Sequence, residues 1–332
     1  MTSLNFQFSA DEVHQQEAIE ATCSLFRGQQ FACSTFVAEG SIDGQATLEN
    51  LVMGHGNEVR VAPGQLLENL HAVQEDACLP PTNVLTDGRL RDFTVEMETG
   101  TGKTYVYIRS IYELNARYGL TKFVIVVPSV AIREGVLKSF EIMRSHFEVL
   151  YDRTPLEYFV YDSKNVERVG NFAFSNSIQV MIINIDAFNK GIDKTGLAVE
   201  GNVFHRRNEK LVDGLSPREL VDACNPIVII DEPQSVDNTK QAKSAIKSLN
   251  PLFVLRYSAT HKQPYNMIYR LTPVDAFQQH LVKSICVDSV KAQANLNGAY
   301  VRLDSVKSSP FRARLTIDER QQNGAQKRKA VT

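Results

Sequence analysis

Met97-Glu98-Thr99-Gly100-Thr101-Gly102-Lys103-Thr104 packs two glycines, a lysine and a threonine hydroxyl into one short stretch. Glycines so spaced let the backbone turn its successive N–H groups inward, forming a concave nest for anions. A helix starting there adds partial positive charge. Lys103 is then placed to reach the β- and γ-phosphates of a nucleotide, and the Thr104 hydroxyl to ligate Mg²⁺. Thr99, Gly100, Thr101 and Gly102 supply the cradle. The pattern Gly-x-Gly-Lys-[Ser/Thr] arises by chance in about 1% of chains of this length, too rarely to dismiss. It opens on Met97 instead of the usual glycine, but that position lies at a strand exit, outside the nest.

Such a loop serves kinases, GTPases and motors alike, so a second acidic site must discriminate. Asp-Glu occurs three times, at Asp11-Glu12, Asp231-Glu232 and Asp318-Glu319. Only Asp231-Glu232 ends a purely apolar run, Ile227-Val228-Ile229-Ile230. That puts Asp231 at the carboxyl end of a buried parallel strand, where ligands bind in open α/β sheets. Asp231 would hold Mg²⁺ and Glu232 would polarise an attacking water as general base. Ser258-Ala259-Thr260 follows another apolar strand; alone it is an ordinary loop tripeptide, but its place after Asp231-Glu232 suits a relay between nucleotide and nucleic-acid sites.

These residues need a scaffold that brings strand ends together. Short apolar strands are predicted at Phe93–Met97, Phe123–Val127, Ile178–Asn184, Ile227–Asp231 and Leu252–Tyr257. Helices are predicted at Lys103–Arg117, Ala131–Phe147, Lys240–Leu249 and from Pro217 to Cys224, the last with Ser216 as N-cap. Apolar strands spaced by helices mean an α/β fold, a parallel sheet with helices on both faces. Upstream, 11–27 reads as a helix capped by Asp11, and Gln65–Gln74 as another within 31–92, a stretch that glycines break into loops and short strands and to which no chemistry attaches. Lys190–Leu215 reads as a long loop. Leu281–Val290, Ala299–Val306 and Phe311–Ile317 read as a small antiparallel β extension, with turns at Asn297-Gly298 and Ser308-Ser309-Pro310, and Gln321–Thr332 as a frayed basic tail. The expected organisation is a helix region over 1–30, an insertion over 31–92, a core domain over 93–275, and a β-rich connector with the tail over 276–332.

Length suggests about two domains, and composition rules out a disordered chain. The 332 residues are 43% hydrophobic and 22% charged, with 36 Lys+Arg against 38 Asp+Glu, a net of −2. Nucleic-acid binding would need a local patch, since no global charge announces it. Apolar runs are far shorter than a membrane span, and the first residues lack the basic and apolar regions of a signal peptide. Five scattered cysteines with no Cys-x-x-Cys argue against a disulfide framework or zinc and for a reducing cytoplasm.

The order of these motifs resembles superfamily 2 helicases and translocases. Phe93–Tyr107 (FTVEMETGTGKTYVY), Phe123–Val136 (FVIVVPSVAIREGV), Pro226–Asn238 (PIVIIDEPQSVDN) and Leu255–His261 (LRYSATH) resemble the restriction (Res) subunit of type III restriction–modification enzymes. So do Ile183–Lys190 (INIDAFNK) and Tyr265–Leu281. The resemblance implies a RecA-like motor domain using ATP and Mg²⁺, a bacterial cytoplasmic location, and DNA and a modification (methyltransferase) subunit as partners. It implies that Gln15, within His14-Gln15-Gln16-Glu17, reads the adenine edge, and that Ser129, Arg133 and Asn184 meet the DNA backbone. It implies further a second motor domain with an arginine finger and a nuclease, neither of which fits after Thr260. A GTPase would want a guanine-reading Asn-Lys-x-Asp, which the chain lacks. The readings kept open are thus an ATP-driven motor domain and a nucleotide- or DNA-binding product without turnover.

Overall fold

The computed structural model describes residues 7–42, 45–82, 91–189, 202–211, 214–283, 301–308, 311–320 and 326–331. The chain divides into two compact units, Met1–Lys283 and Ser284–Thr332.

The first unit opens with helix α1 (Val13–Ser24), the hairpin β1 (Ser34–Ile42) and β2 (Gln45–Gly56), and α2 (Pro63–Asp76). Strand–helix alternation follows: β3 (Asp92–Met97), α3 (Lys103–Tyr118), β4 (Lys122–Val127), α4 (Val130–Leu150), β5 (Leu156–Val160), α5 (Glu167–Phe174), β6 (Ile178–Asn184) and α6 (Asp186–Asn189). Then come α7 (Pro217–Ala223), β7 (Ile227–Asp231), α8 (Pro233–Val236), α9 (Lys240–Lys247), β8 (Phe253–Ser258), β9 (Met267–Leu271) and α10 (Pro273–Gln278). Seven strands form one sheet in the order β5-β6-β4-β7-β8-β3-β9. Every neighbouring pair is parallel.

Period-two alternation divides the core between the two faces. Phe123, Ile125, Ile227 and Ile229 join α1, α2, α3 and α4 on one side. Val124, Val126, Val228 and Ile230 join α5, α7 and α9 on the other. Residues of β4, β7 and β8 are buried throughout, as strands covered on both faces must be. The expected α/β sheet is therefore present, and its central strands and helices lie within a few residues of their predicted bounds.

Several local readings are corrected. Asp11 does not cap α1; Glu12 is the N-cap residue, without a side-chain bond, and the Asp11 N–H donates to Ser9 Oγ at 3.1 Å. Gly54 and Gly56 do not break the chain but lie within β2. A Cβ on Gly54 would sit 2.2 Å from the Phe36 ring, and one on Gly56 would sit 3.0 Å from the Cys224 carbonyl, so both glycines make room for neighbours. Strand β5 and helix α5, which the pattern did not single out, are short; β5 lies at the sheet's edge, where burial alternates. Helix α10 carries a full capping box, Thr272 Oγ1 accepting from Asp275 N–H and the Asp275 side chain accepting from Thr272 N–H. That Thr-x-x-Asp signature was readable in advance.

Of the loop expected over Lys190–Leu215, residues 202–211 are irregular, with Phe204 fully buried; 190–201 and 212–213 lie outside the described residues.

In the second unit β10 (Val301–Ser308), β11 (Phe311–Arg320) and β12 (Gln326–Val331) form an antiparallel sheet in that order. Two of the expected strands correspond to β10 and β11. For the strand expected at 281–290, residues 281–283 are irregular and 284–290 lie outside the described residues, as do both halves of the Asn297-Gly298 turn and residues 309–310. Residues 326–331 of the basic tail form a strand where a frayed end was expected; 321–325 and 332 lie outside the described residues. Arg328 pairs in register with Asp318 of β11, their charged groups 3.4 Å apart, which offsets the positive run.

Candidate active site

Strand order creates the site. Strand β8 lies between β3 and β7, so the loop after β3, the acidic pair ending β7 and the serine ending β8 converge at the carboxyl edge of three adjacent strands.

The loop after β3 turns on two left-handed glycines. Met97 is fully buried as the last residue of β3, outside the loop. Gly100 and Gly102 take φ of +85° and +95°, values a side chain would strain. Thr101 Oγ1 donates to Glu98 O at 2.7 Å, bracing the turn, and Glu98 Oε1 accepts from Thr99 N–H at 2.8 Å. Gly102 is the N-cap of α3, so the helix begins at Lys103 and its first N–H groups open onto the loop. Gln15 Nε2 donates to Thr101 O at 3.2 Å, and His14 Nε2 lies 2.9 Å from the same carbonyl. A Cβ on Gly102 would come within 2.4 Å of Gln15 Nε2, so the bare glycine is what admits the glutamine. Beside them is a cleft of about 550 Å³, lined among others by Phe8, Gln15, Lys103, Tyr105 and Met143. The Phe8 and Tyr105 rings stack with centroids 6.4 Å apart. Arg109 Nη1 donates to Ala10 O at 2.7 Å and ties the segment before α1 to α3.

Opposite the glycines, Lys103 Nζ lies 3.6 Å from Glu232 Oε1 and 3.4 Å from Met97 O. The other carboxylate oxygen of Glu232 accepts from Ser258 Oγ at 2.7 Å and Gln234 Nε2 at 2.6 Å. Glu232 itself is left-handed, φ 55° and ψ 62°, a strained conformation for a residue with a side chain. Its N–H donates to Tyr257 O of β8 at 3.0 Å, which holds the turn out of β7.

The two carboxyls sit in opposed environments. Burial, then the Glu232 charge, push Asp231 up to about 6 against the pull of Lys103. Burial works against ionised Glu232 too, but hydrogen bonds from Ser258 and Gln234 and the Lys103 ammonium outweigh it and hold its carboxyl below the ordinary range. Adjacent acids driven apart in this way suit separate roles. Thr104 and Asp231 offer one hydroxyl and one carboxylate, hard oxygen donors of the kind Mg²⁺ takes alongside phosphates and water. Among the described residues no group of three or more His, Cys, Asp or Glu could hold a metal unaided.

Of the relay tripeptide, Ser258 is buried and touches Glu232, and its Oγ accepts from Thr260 N–H at 3.1 Å; Ala259 is half-buried and Thr260 exposed. The residues expected to meet DNA lie along the same sheet edge, on the far side of β7 from β3. Val127 of β4 and Asn184 of β6 are register partners, so Ser129 and Asn184 leave neighbouring strand ends. Ser129 Oγ accepts from Ile132 N–H at 3.3 Å as the N-cap of α4, and Asn184 Oδ1 accepts from Asp186 N–H at 3.0 Å. Arg133 pairs with Glu134 at 2.8 Å on the surface.

Sequence reasoning did not assign Gln234, or the ion network behind it. Arg256, with a side chain 7% exposed, reaches Asp92 Oδ1 at 3.0 Å and bonds Asp237, while its guanidinium lies 4.7 Å from the centre of the Tyr265 ring. Asp237 N–H donates to Pro233 O at 3.0 Å, so the network anchors the turn that carries Glu232 and Gln234. A charged residue inside an otherwise apolar strand was the available signal.

Residues 11–263 match the family described as type III restriction enzyme, res subunit. The chain is 31% identical over 294 residues to the EcoPI Res subunit of Escherichia phage P1, covering 85% of this chain and 29% of that protein. It is 30% identical over 248 residues to the EcoP15I Res subunit of Escherichia coli, covering 69% of this chain and 24% of that one. The match thus spans under a third of either relative. Among solved structures, the UvsW helicase of bacteriophage T4 aligns at 17% identity and a TM-score of 0.31 over 62% of this chain and 55% of that one. With its motifs in order and its family match over most of its length, the chain belongs to the type III restriction enzyme Res subunit family.

Proposed function

We propose that this chain is the ATP-binding first motor domain of a type III restriction endonuclease, using ATP with Mg²⁺ to drive movement on duplex DNA. The observation that carries the reading is the contact chain Lys103–Glu232–Ser258, joining the ends of β3, β7 and β8. Nucleotide phosphates would draw Lys103 away from Glu232, since several phosphate charges outweigh one carboxylate. That frees one Glu232 oxygen to accept a proton from the attacking water, while Ser258 and Gln234 hold the other. Bound Mg²⁺ would neutralise phosphate charge from Thr104 and Asp231. Gln15 and the Phe8–Tyr105 side of the cleft would receive the adenine.

Because Ser258 binds both Glu232 and the backbone of Thr260, a change in the carboxylate's hydrogen bonds is transmitted to the loop after β8; this supports a coupling role for Ser258, Ala259 and Thr260. Ser129, Arg133 and Asn184 are assigned to the DNA backbone, which backbone amides, hydroxyls and guanidinium groups suit. The modification subunit is the proposed protein partner, and the bacterial cytoplasm the proposed location. No helix among the described residues is long and apolar enough to cross a membrane.

The test is nucleotide titration followed by steady-state hydrolysis with and without duplex DNA. Mg·ATP binding is expected, with Glu232→Gln retaining binding and losing turnover. Failure to bind ATP would refute the reading; binding without turnover under all conditions would select the non-hydrolysing alternative.

A further inference from the structure

The second unit carries a charge pattern to which nothing above gives a role. Residues 301–332 hold eight Lys and Arg against three Asp and Glu, while the whole chain holds 36 against 38. The local basic patch that nucleic-acid binding would need is therefore present, within one three-stranded sheet. Period-two alternation sorts it by face. Register partners share a face, so Arg302 lies with Thr316, Ser305 with Arg314, and Lys307 with Arg312. Arg328 joins that face as the partner of Asp318. The opposite face of β10 and β11 carries Val301, Leu303, Val306, Ala313 and Leu315.

The acids of the sheet balance only part of the patch. Asp304 accepts from Arg302 Nε at 2.8 Å, and Asp318 lies 3.4 Å from Arg328. Lys307, Arg312 and Arg314 are all exposed, and among the described residues no ion pair closes on them. The Arg314 charge reaches Asp304 only at longer range. Lys307 and Arg312 stand directly opposite each other, with Arg314 two residues further along β11. Like charges so placed destabilise a sheet. A bound polyanion removes that cost.

We propose that this face of the β10–β12 sheet binds the phosphate backbone of duplex DNA, centred on Lys307, Arg312 and Arg314. Same-face residues recur about every 7 Å along a strand, two rises of about 3.4 Å. Each DNA strand offers a phosphate about every 3.4 Å of helix axis, so neighbouring cations can meet separate phosphates. The guanidinium forks of Arg312 and Arg314 suit phosphate oxygens, and the Ser305 hydroxyl lies beside them. Among the described residues of this face none is aromatic, so unpaired bases have nothing to stack on, which favours duplex over single strands. A membrane surface calls for apolar side chains among the cations, and here those lie on the opposite face. The same separation leaves a protein partner no large apolar anchor. The choice of DNA rests on the motor reading above, but the surface belongs to the second unit, whereas Ser129, Arg133 and Asn184 belong to the first.

The experiment titrates the full chain with duplexes of two unrelated sequences over a salt series, with single strands and phosphatidylserine vesicles alongside, and measures ATP affinity on the same samples. In the triple variant Lys307→Gln, Arg312→Gln, Arg314→Gln, duplex affinity at low salt should fall at least about tenfold, and the slope of log K against log salt should shrink by about 2.7, three phosphates at about 0.9 each. Its ATP affinity should match wild type. The charge-preserving variant Lys307→Arg, Arg312→Lys, Arg314→Lys should keep the wild-type slope. Unchanged duplex binding in the glutamine variant would overturn the proposal, and so would equal losses in both variants, which would make the effect structural. Binding confined to single strands or to vesicles, or a strong preference for one sequence, would overturn it too. Duplex binding without ATP binding would refute the motor reading and leave this surface standing. ATP binding without duplex binding would overturn the surface and leave the nucleotide site standing.

Discussion

The two edges of the parallel sheet treat buried polar groups in opposite ways. At the amino edge, Asn57 is 1% exposed, and its side chain makes three short hydrogen bonds: it donates to Lys122 O at 2.7 Å and accepts from Thr121 N–H at 2.8 Å and Lys122 N–H at 3.0 Å. Lys122, fully buried, donates to Phe172 O at 2.6 Å and to Ser175 O, satisfying carbonyls at the end of α5. At the carboxyl edge Lys103 holds its partners at 3.4 and 3.6 Å, and Glu232 sits in a left-handed backbone conformation. At the amino edge Asn57 and Lys122 are held by short bonds that close the fold. At the carboxyl edge Glu232 is fixed by Ser258 and Gln234 while the ammonium of Lys103 is held only by long contacts.

The largest expected effect lies at the amino edge. Asn57→Ala strands two N–H groups and one carbonyl at the start of β4, each worth about 1–3 kcal/mol when buried without a partner. A loss of at least about 3 kcal/mol in denaturant melts is expected, with ATP affinity per folded molecule unchanged. A change below about 1 kcal/mol would erase the contrast between the edges. Next, Lys103→Ala should cost about 2–4 kcal/mol of Mg·ATP binding, the scale for one partner of a desolvated charge pair. Its stability should move little, because the pairs it loses are long; the comparison fails if the melt shifts more than the binding.

Asp231 sharpens the comparison through pH. An unfolded aspartate titrates near 3.8 and the folded one at about 6. Between those values the folded state binds more protons, so this group's contribution to stability is lost as pH rises through 6. Asp231→Asn should therefore be more stable than wild type at pH 8, by about 1–3 kcal/mol at about 1.4 kcal/mol per unit, and flatter across pH 4–8. A wild-type profile with no excess slope there would show that the carboxyl is not held in this state. The smallest effect belongs to the surface. Arg133→Ala should leave stability unchanged, since exposed pairs such as Arg133–Glu134 contribute little. It should lower the salt dependence of duplex binding by about one phosphate, a slope change of roughly 0.9. An unaltered slope would remove Arg133 from the DNA assignment.

How much of this was written in the sequence depends on chain distance. Gly100, Gly102, Lys103 and Thr104 are contiguous, and Asp231 is announced by the apolar run before it, so local pattern sufficed. The parallel sheet was legible for the same reason, because its central strands are apolar on both faces. What escaped notice was made by contacts between distant residues. Asn57 meets Lys122 across 65 positions, and Arg256 meets Asp92 across 164. Strand β12 was misread because the carboxylate that balances Arg328 lies on another strand.

The hairpin of β1 and β2 carries a lesson about inheritance. The Phe36 ring occupies the space where a side chain at position 54 would begin. A lineage that keeps Phe36 cannot drift to alanine at 54 without displacing the ring. One that first shortens residue 36 opens the space and loses the reason for glycine. The two positions are therefore coupled: a side chain at 54 requires either a displaced ring or a smaller residue at 36.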